Sequence, residues 1–320
     1  MGSGRGSPTG SVIARNGGMC SDALVESAFP DNPQGVGAGG VFELRPGAGM
    51  RLPVLLSAPH SGRCYPKSLL EGLALPAGQL RPLDDGPVDV VLAPAAERSA
   101  GLLVALLPRA WIDLNRSPAE LDPSDIEGLV PWPTEITAKV RAGLGLVPSR
   151  IGGHRLLRRP LRADEIAQRL ATVHRPFHQE LARQLTCLQA RHGVAVLLDC
   201  HSMPRASVTA SGPPVEIVVG DHHGASASRA VTELALSVLR RHGFRVATNR
   251  PFAGGHITGT CGRPEQGLHA LQIELRRDLF LDERDYRLHG GMAALGAALA
   301  DVVTTLGELA LRLPGRSAAA

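Results

Sequence analysis

Four short segments of the chain end an apolar run on polar or charged side chains. They are Leu55-Leu56-Ser57-Ala58-Pro59-His60-Ser61-Gly62, Trp111-Ile112-Asp113-Leu114-Asn115-Arg116, Val196-Leu197-Leu198-Asp199-Cys200-His201-Ser202-Met203 and Leu271-Gln272-Ile273-Glu274-Leu275-Arg276. In open α/β sheets, ligands bind beyond the carboxyl ends of the strands. Two imidazoles, a carboxylate and an Asn-Arg pair delivered there converge on one crevice. A guanidinium fork such as that of Arg116 matches carboxylate geometry. Glu274 sits inside an apolar run, where an unpaired carboxylate is expensive to bury. It either pairs with Arg276 or Arg277 or has a chemical task.

Other polar clusters carry less. His174 and His178 stand four apart on a predicted helix, but Pro176 lies between them and no Glu follows His174, so the H-E-x-x-H signature is absent. His174 reads as a packing residue. His222-His223 fall in a strand-end loop, and adjacent histidines are poor joint chelators of one ion. Cys200 beside His201 resembles a nucleophile and base only on paper, because neighbouring strand residues point to opposite faces.

The elements that must position these groups read as alternating strands and helices. Strands are predicted at Leu52–Ser57, Leu102–Leu107, Ala110–Asp113, Val194–Asp199, Val215–Gly220 and Leu271–Leu275. Runs such as Val194–Leu198, apolar on successive residues, suit strands covered on both faces. Ile166, Leu170, Val173, Phe177, Leu181, Leu185 and Leu188 draw one stripe along a helix over Arg162–His192. Gly193 should stop that helix and Pro176 should kink it. Further helices are expected at Ser226–His242 and Glu283–Leu311, the latter broken at Gly290-Gly291. The pattern predicts an α/β fold, a three-layer α/β/α sandwich around a mixed, mostly parallel sheet. Residues 1–40 and 314–320 read as mobile ends of a single domain, 41–313. Ser117–Gly153 is too long for a simple connection; it either walls a site or is a plain insertion.

Composition narrows the class. The 320 residues are 43% hydrophobic, enough for a sizeable core. A net charge of +4 and 3% aromatic content, with no long run of like charge, argue against a nucleic-acid partner. Five scattered cysteines without a C-x-x-C pair argue against a disulfide framework or thiolate zinc knuckle. No apolar signal core and no run of eighteen apolar residues appear, so a cytoplasmic protein without a membrane partner is expected.

From Pro53 to Glu283 the sequence resembles the N-formylglutamate amidohydrolases. The matching motifs are Pro59-His60-Ser61-Gly62, Asp85 with Val88-Asp89, Asp113-Leu114-Asn115-Arg116, Pro176-Phe177-His178, Asp199-Cys200-His201-Ser202, Gly254-Gly255-His256-Ile257-Thr258 and Gln272-Ile273-Glu274-Leu275. Seven motifs in one order make the match specific. That family is in turn similar to zinc carboxypeptidases and aspartoacylases, which implies a zinc carboxypeptidase-like fold.

The resemblance implies one zinc ion per chain, with His60 and His201 as ligands. Catalytic zinc takes three protein ligands and keeps a position open. Carboxypeptidases supply a Glu three residues after the first His, where this chain has Arg63. The resemblance points instead to Asp85; Asp89, just inside a helix start, is the alternative, and Asp84 reads as a turn initiator. Glu274 is the implied base for the attacking water. Arg116 and Asn115 would receive a substrate carboxylate, with His178 and Gly255 on the substrate side and Arg109 polarising the scissile carbonyl. Asp113 and Asp199 would orient other site residues. The expected substrate is a small N-acyl amino acid, foremost N-formyl-L-glutamate cleaved to formate and L-glutamate in histidine breakdown. Arg63, Arg150, Arg205 and Arg263 are candidates for its γ-carboxylate. A peptidase or amidase of other substrate, or an inactive binding relative, are the alternatives.

Overall fold

A computed structural model describes residues 40–47, 51–208 and 215–312. The expected mobile ends, apart from Gly40, lie outside the described residues. Seven strands form one sheet: β1 (Phe42–Pro46), β2 (Val54–Ala58), β3 (Gly101–Ala105), β4 (Ala195–Met203), β5 (Ile217–Gly220), β6 (Val246–Thr248) and β7 (Leu268–Arg276). Their order is β1-β3-β2-β4-β7-β5-β6. β3, β2, β4 and β7 run parallel, and β6 runs parallel to β5. β1 joins β3, and β5 joins β7, in antiparallel fashion. The sheet is mixed and mostly parallel, as the alternating pattern predicts.

Side chains alternate across the sheet and build two cores. Val54, Leu56, Leu198 and Ile273 face helices α2 (Arg229–Arg241) and α4 (Gly291–Ala310). Leu55, Leu197 and Ala270 face α1 (Arg175–His192), whose Phe177, Leu181, Leu185 and Leu188 form the predicted stripe. Burying each such leucine contributes about 1.5–3 kcal/mol, so packing rather than intrinsic propensity holds α1 in place. α4 is long and apolar enough to cross a membrane by length and composition. Here its Leu295, Leu299, Val303 and Leu306 are buried in the core.

Several predicted boundaries shift. Ala110–Asp113 is not a strand: Trp111 N–H closes a turn on Pro108, and Asp113 N–H bonds Leu146 O rather than a sheet neighbour. β4 continues to Met203, beyond the predicted end at Asp199, because its pairing with β7 runs from Ala195↔Leu268 to Met203↔Arg276. β1 and β6 were not predicted; they are edge strands of partly exposed residues, so the apolar signal is weak. Pro176, where a kink is expected, lies in the first turn of Arg175–His192, and the helix continues through it. Residues Leu170–His174 open into π winding before it, which accommodates a residue without an N–H. Gly193 ends α1 in the left-handed conformation, φ 73°. The final helix begins at Gly291, not Glu283: Tyr286, at φ 62°, turns the chain just before it.

Candidate metal and catalytic site

Strand alternation places Asp199 and His201 of β4 on the same sheet face as Leu197, and Gln272 and Glu274 of β7 on the face of Ala270. Register sets Glu274 beside His201 and Gln272 beside Asp199. Cys200 points the other way, into the core beneath α4. His60 follows β2 directly, and its carbonyl accepts the Asp85 N–H at 3.3 Å, which fixes that carboxylate against the strand ends. His60, Asp85 and His201 are all buried.

The three donor atoms face each other. His201 Nδ1 lies 3.1 Å from His60 Nδ1 and 3.1 Å from Asp85 Oδ2, and His60 Nδ1 lies 3.3 Å from Asp85 Oδ2. A tetrahedral ion with ligand bonds near 2.1 Å needs donors about 3.4 Å apart. The triangle fits that spacing closely. Each imidazole is oriented through its other nitrogen: His60 Nε2–H donates to Asp113 Oδ1 at 2.7 Å, and His201 Nε2–H to Asp199 Oδ2 at 2.9 Å. Both Nδ1 atoms are thereby aimed inward, the arrangement that carboxylate-held histidine ligands adopt. These residues form a His-Asp-His triad that can hold a metal ion.

Asp85 is the carboxylate that meets the histidines, and its far oxygen lies 3.5 Å from Arg277 Nη2. Arg277 Nε also donates to Ser202 Oγ, which in turn donates to the Asp85 carbonyl. Burial opposes the charge of Asp85, but the two histidines hold its carboxyl far below the usual range. Burial likewise opposes protonation of His201, yet Asp199 and Asp85 raise its pKa well above that of a free histidine. Asp89 serves elsewhere: Arg63 grips it at 2.8 and 3.1 Å, and Arg45 lies at 3.1 Å. We expect Asp89→Asn to cost about 1–3 kcal/mol of stability, by leaving two guanidinium groups short of a counter-charge, with metal content unchanged. Melting curves beside metal analysis test this; a loss of metal as great as in Asp85→Asn would overturn the division.

Glu274 pairs with neither Arg276 nor Arg277. Arg276 binds Asp278, and Arg277 is spent on Ser202, Tyr286 and Asp85. A relay of amides holds the glutamate instead. Ile257 N–H donates to Asn115 Oδ1, Asn115 Nδ2 to Gln272 Oε1 and Gln272 Nε2 to Glu274 Oε1 at 2.8 Å. Burial, reinforced by Asp85, raises the Glu274 pKa despite the opposing pull of His201 and His60. The Asn115 amide packs over Gly255, where a Cβ would sit 2.3 Å from Nδ2. Asn115 and Gly255 thus close on each other, and the asparagine amide is engaged within the protein.

The arginines divide their work. Arg109 Nε donates to Asp113 at 2.7 Å; burial opposes its charge, but Asp113, Asp85 and Glu274 hold its pKa above the ordinary value. Arg116 is fixed by the carbonyls of Leu144 and Asn115, through Nε and Nη1, which leaves Nη2 without a hydrogen-bond partner among the described residues. Arg63 and Arg150 are bound to Asp89 and Asp125, and Arg263 to the carbonyls of Gly259 and Gly262. Arg205 is exposed, 3.6 Å from Asp278.

The Ser117–Gly153 segment does reach the site. It supplies the Leu146 and Leu144 carbonyls that hold Asp113 and Arg116, and it carries Lys139 on the short helix Ala138–Arg141. Burial lowers the Lys139 pKa, Arg116 and Arg109 lower it further, and Glu274 and Asp113 oppose them. Sequence reasoning gave Lys139 and Gln272 no role of their own and weighed Arg277 only as a partner for Glu274, because each is ordinary until its neighbours are known. It also passed over Asp84 beyond a turn role. That carboxyl bonds the Tyr65 hydroxyl, and burial pushes its pKa up to about 7. His178 donates from Nε2 to the Leu114 carbonyl and His222 buttresses Gly255 and Thr258. Cys187, Cys200 and Cys261 are free thiols.

Strand-end imidazoles, a facing carboxylate and a buried glutamate on a mostly parallel sheet define an α/β protein with a His-Asp-His triad that could hold a metal ion. The profile of the N-formylglutamate amidohydrolase family matches residues 52–281, and the chain belongs to that family of amide hydrolases. It is 33% identical over 240 residues to an N-formylglutamate deformylase of Pseudomonas aeruginosa, covering 73% of this chain and 84% of that protein. The corresponding Pseudomonas putida deformylase is 30% identical over 241 residues, with the same coverage. The crystal structure of an N-formylglutamate amidohydrolase from Ralstonia eutropha JMP134 is similar, with a TM-score of 0.80 and 31% identity. It covers 85% of this chain and 98% of its own.

Proposed function

We propose that the chain is a zinc-dependent, cytoplasmic amidohydrolase that cleaves N-formyl-L-glutamate to formate and L-glutamate. The observation that carries the reading is the inward-facing His60–Asp85–His201 triad with Glu274 held beside it in strand register. Relatives named N-formylglutamate deformylase support the substrate. On this reading the reaction belongs to histidine breakdown. Two imidazoles and one carboxylate are a donor set that suits zinc, and one ion per chain fits the triad. When bound there, zinc supplies Lewis acidity and makes water nucleophilic at neutral pH.

The chain's own residues supply the rest. Glu274, ionised and aligned by Gln272, accepts the proton of the attacking water and returns it to the leaving amine. Arg109 stabilises negative charge on the former carbonyl oxygen. Arg116 presents its free Nη2 edge to the α-carboxylate, and Lys139 adds a cation for the second carboxylate. His178 shapes the substrate side through the Leu114 carbonyl. The partner is thus a small N-acyl amino acid, with neither nucleic acid nor membrane involved.

The test compares formate release from N-formylglutamate and from its α-amide. Arg116→Ala should weaken kcat/KM for N-formylglutamate by about 10–10²-fold, the scale of one lost charge-assisted contact of about 1.5–3 kcal/mol, and should affect the α-amide much less. Equal hydrolysis of both by wild-type enzyme, unchanged by Arg116→Ala, would remove that anchor. Absence of formate release by zinc-loaded wild type would move the reading to another amide.

A further inference from the structure

Three histidines outside the triad come together where the sequence shows only two. His174, in the π-wound turn, and His178, in the first turn of α1, face each other with ring centroids 4.3 Å apart. His256 opens the helix α3 (His256–Cys261), and its ring lies 5.9 and 5.2 Å from those two. One ring nitrogen of each lies within 4.8 Å of the others.

The hydrogen bonds fix which nitrogen is available. A carbonyl can only accept, so His174 Nε2 donates to Arg116 O and His178 Nε2 donates to Leu114 O, each at 2.9 Å. This leaves Nδ1 of both rings with a free lone pair, the tautomer that backbone-held histidine ligands carry. The His256 ring makes no hydrogen bond among the described residues. Burial lowers the pKa of His174 to about 4, and burial with His174 and His256 lowers that of His178 to about 3. Burial also lowers the pKa of His256. Neutral rings are what a metal ion requires, and three of them bring a ring nitrogen within 4.8 Å of one another.

We propose that His174, His178 and His256 form a second binding site for a divalent transition-metal ion, separate from the His60–Asp85–His201 triad. Three imidazoles select borderline ions such as Zn²⁺, Co²⁺ or Ni²⁺ over Mg²⁺ and Ca²⁺, which take oxygen ligands. Donors in a regular coordination shell stand about 3.0–3.4 Å apart, so binding draws the rings inward by about 1 Å. The site is therefore weaker than the triad, whose donors already stand at shell spacing. His178 and His256 are only partly buried, which leaves coordination positions for water or an anionic group. An occupied site ties α1 to the start of α3 across the Leu114–Arg116 backbone and adds positive charge beside Arg116.

Titration with Co²⁺, and with Zn²⁺ read by elemental analysis, tests the proposal on the full chain. Wild type should take up two equivalents, one tight and one weaker. His178→Gln and His256→Gln should each keep the tight equivalent and lose the weaker one, while His201→Ala should keep the weaker one. Saturation of wild type at one equivalent overturns the proposal, as does a second equivalent that survives both glutamine variants. Should those variants misfold, histidine modification of wild type by diethyl pyrocarbonate decides. His256 should be protected when the second equivalent binds, and equal modification with and without it overturns the site.

Discussion

Glu274→Gln should lower kcat by about 10²–10⁴-fold, the usual contribution of a positioned general base. An amide cannot accept the proton of the attacking water, yet it keeps the shape of the side chain. Its oxygen still accepts from Gln272 Nε2, so the amide relay from Ile257 survives. Metal content, melting temperature and KM should therefore change little. The raised pKa of Glu274, set by burial and Asp85, adds a pH signature. Activity should rise with pH through an ionisation above the ordinary carboxylate range, and that limb should vanish in the variant. Unaltered turnover by folded, metal-loaded Glu274→Gln enzyme would send the search for the base to other carboxylates.

His201→Ala should remove most of the triad's metal while the sheet and both cores persist, because His201 lies at the polar end of β4. Losing one ligand of three weakens such a site steeply. The pH dependence follows from the shifts around it. In the metal-free chain the His201 pKa is raised, so its pairing adds stability at low pH that is lost as pH rises through the folded-state value. Asp85 has a lowered pKa, so its contribution is present above the unfolded carboxylate range and is lost as pH falls. An entering ion must displace the His201 proton. Metal affinity should consequently rise with pH, and binding should release protons. Calorimetry in buffers of different ionisation enthalpy measures that release. Full retention of zinc at the triad in His201→Ala would falsify the ligand assignment.

The sequence by itself determined the parts that depend on local pattern. Apolar runs ending at His60, Asp199 and Glu274 marked β2, β4 and β7, because a strand covered on both faces must be apolar at successive positions. The spacing of Phe177, Leu181, Leu185 and Leu188 marked α1 for the same reason of burial. Alternation also separated Cys200 from His201 without coordinates. Family motifs brought Asp85 forward, but local pattern could not choose it over Asp89, since both carboxylates sit within one turn-rich segment. The tertiary structure sets them apart, with a backbone bond from Asp85 to His60 and two arginines on Asp89. It also supplied Arg277 behind Asp85, Gln272 behind Glu274 and Lys139 from a distant loop. Those roles rest on contacts between residues far apart in the chain, to which no spacing along it gives access. His256 is the clearest case: it lies 78 positions beyond His178 in sequence, yet its ring packs 5.2 Å away. Only folding, which trades chain entropy for burial of both cores, brings such groups within bonding distance.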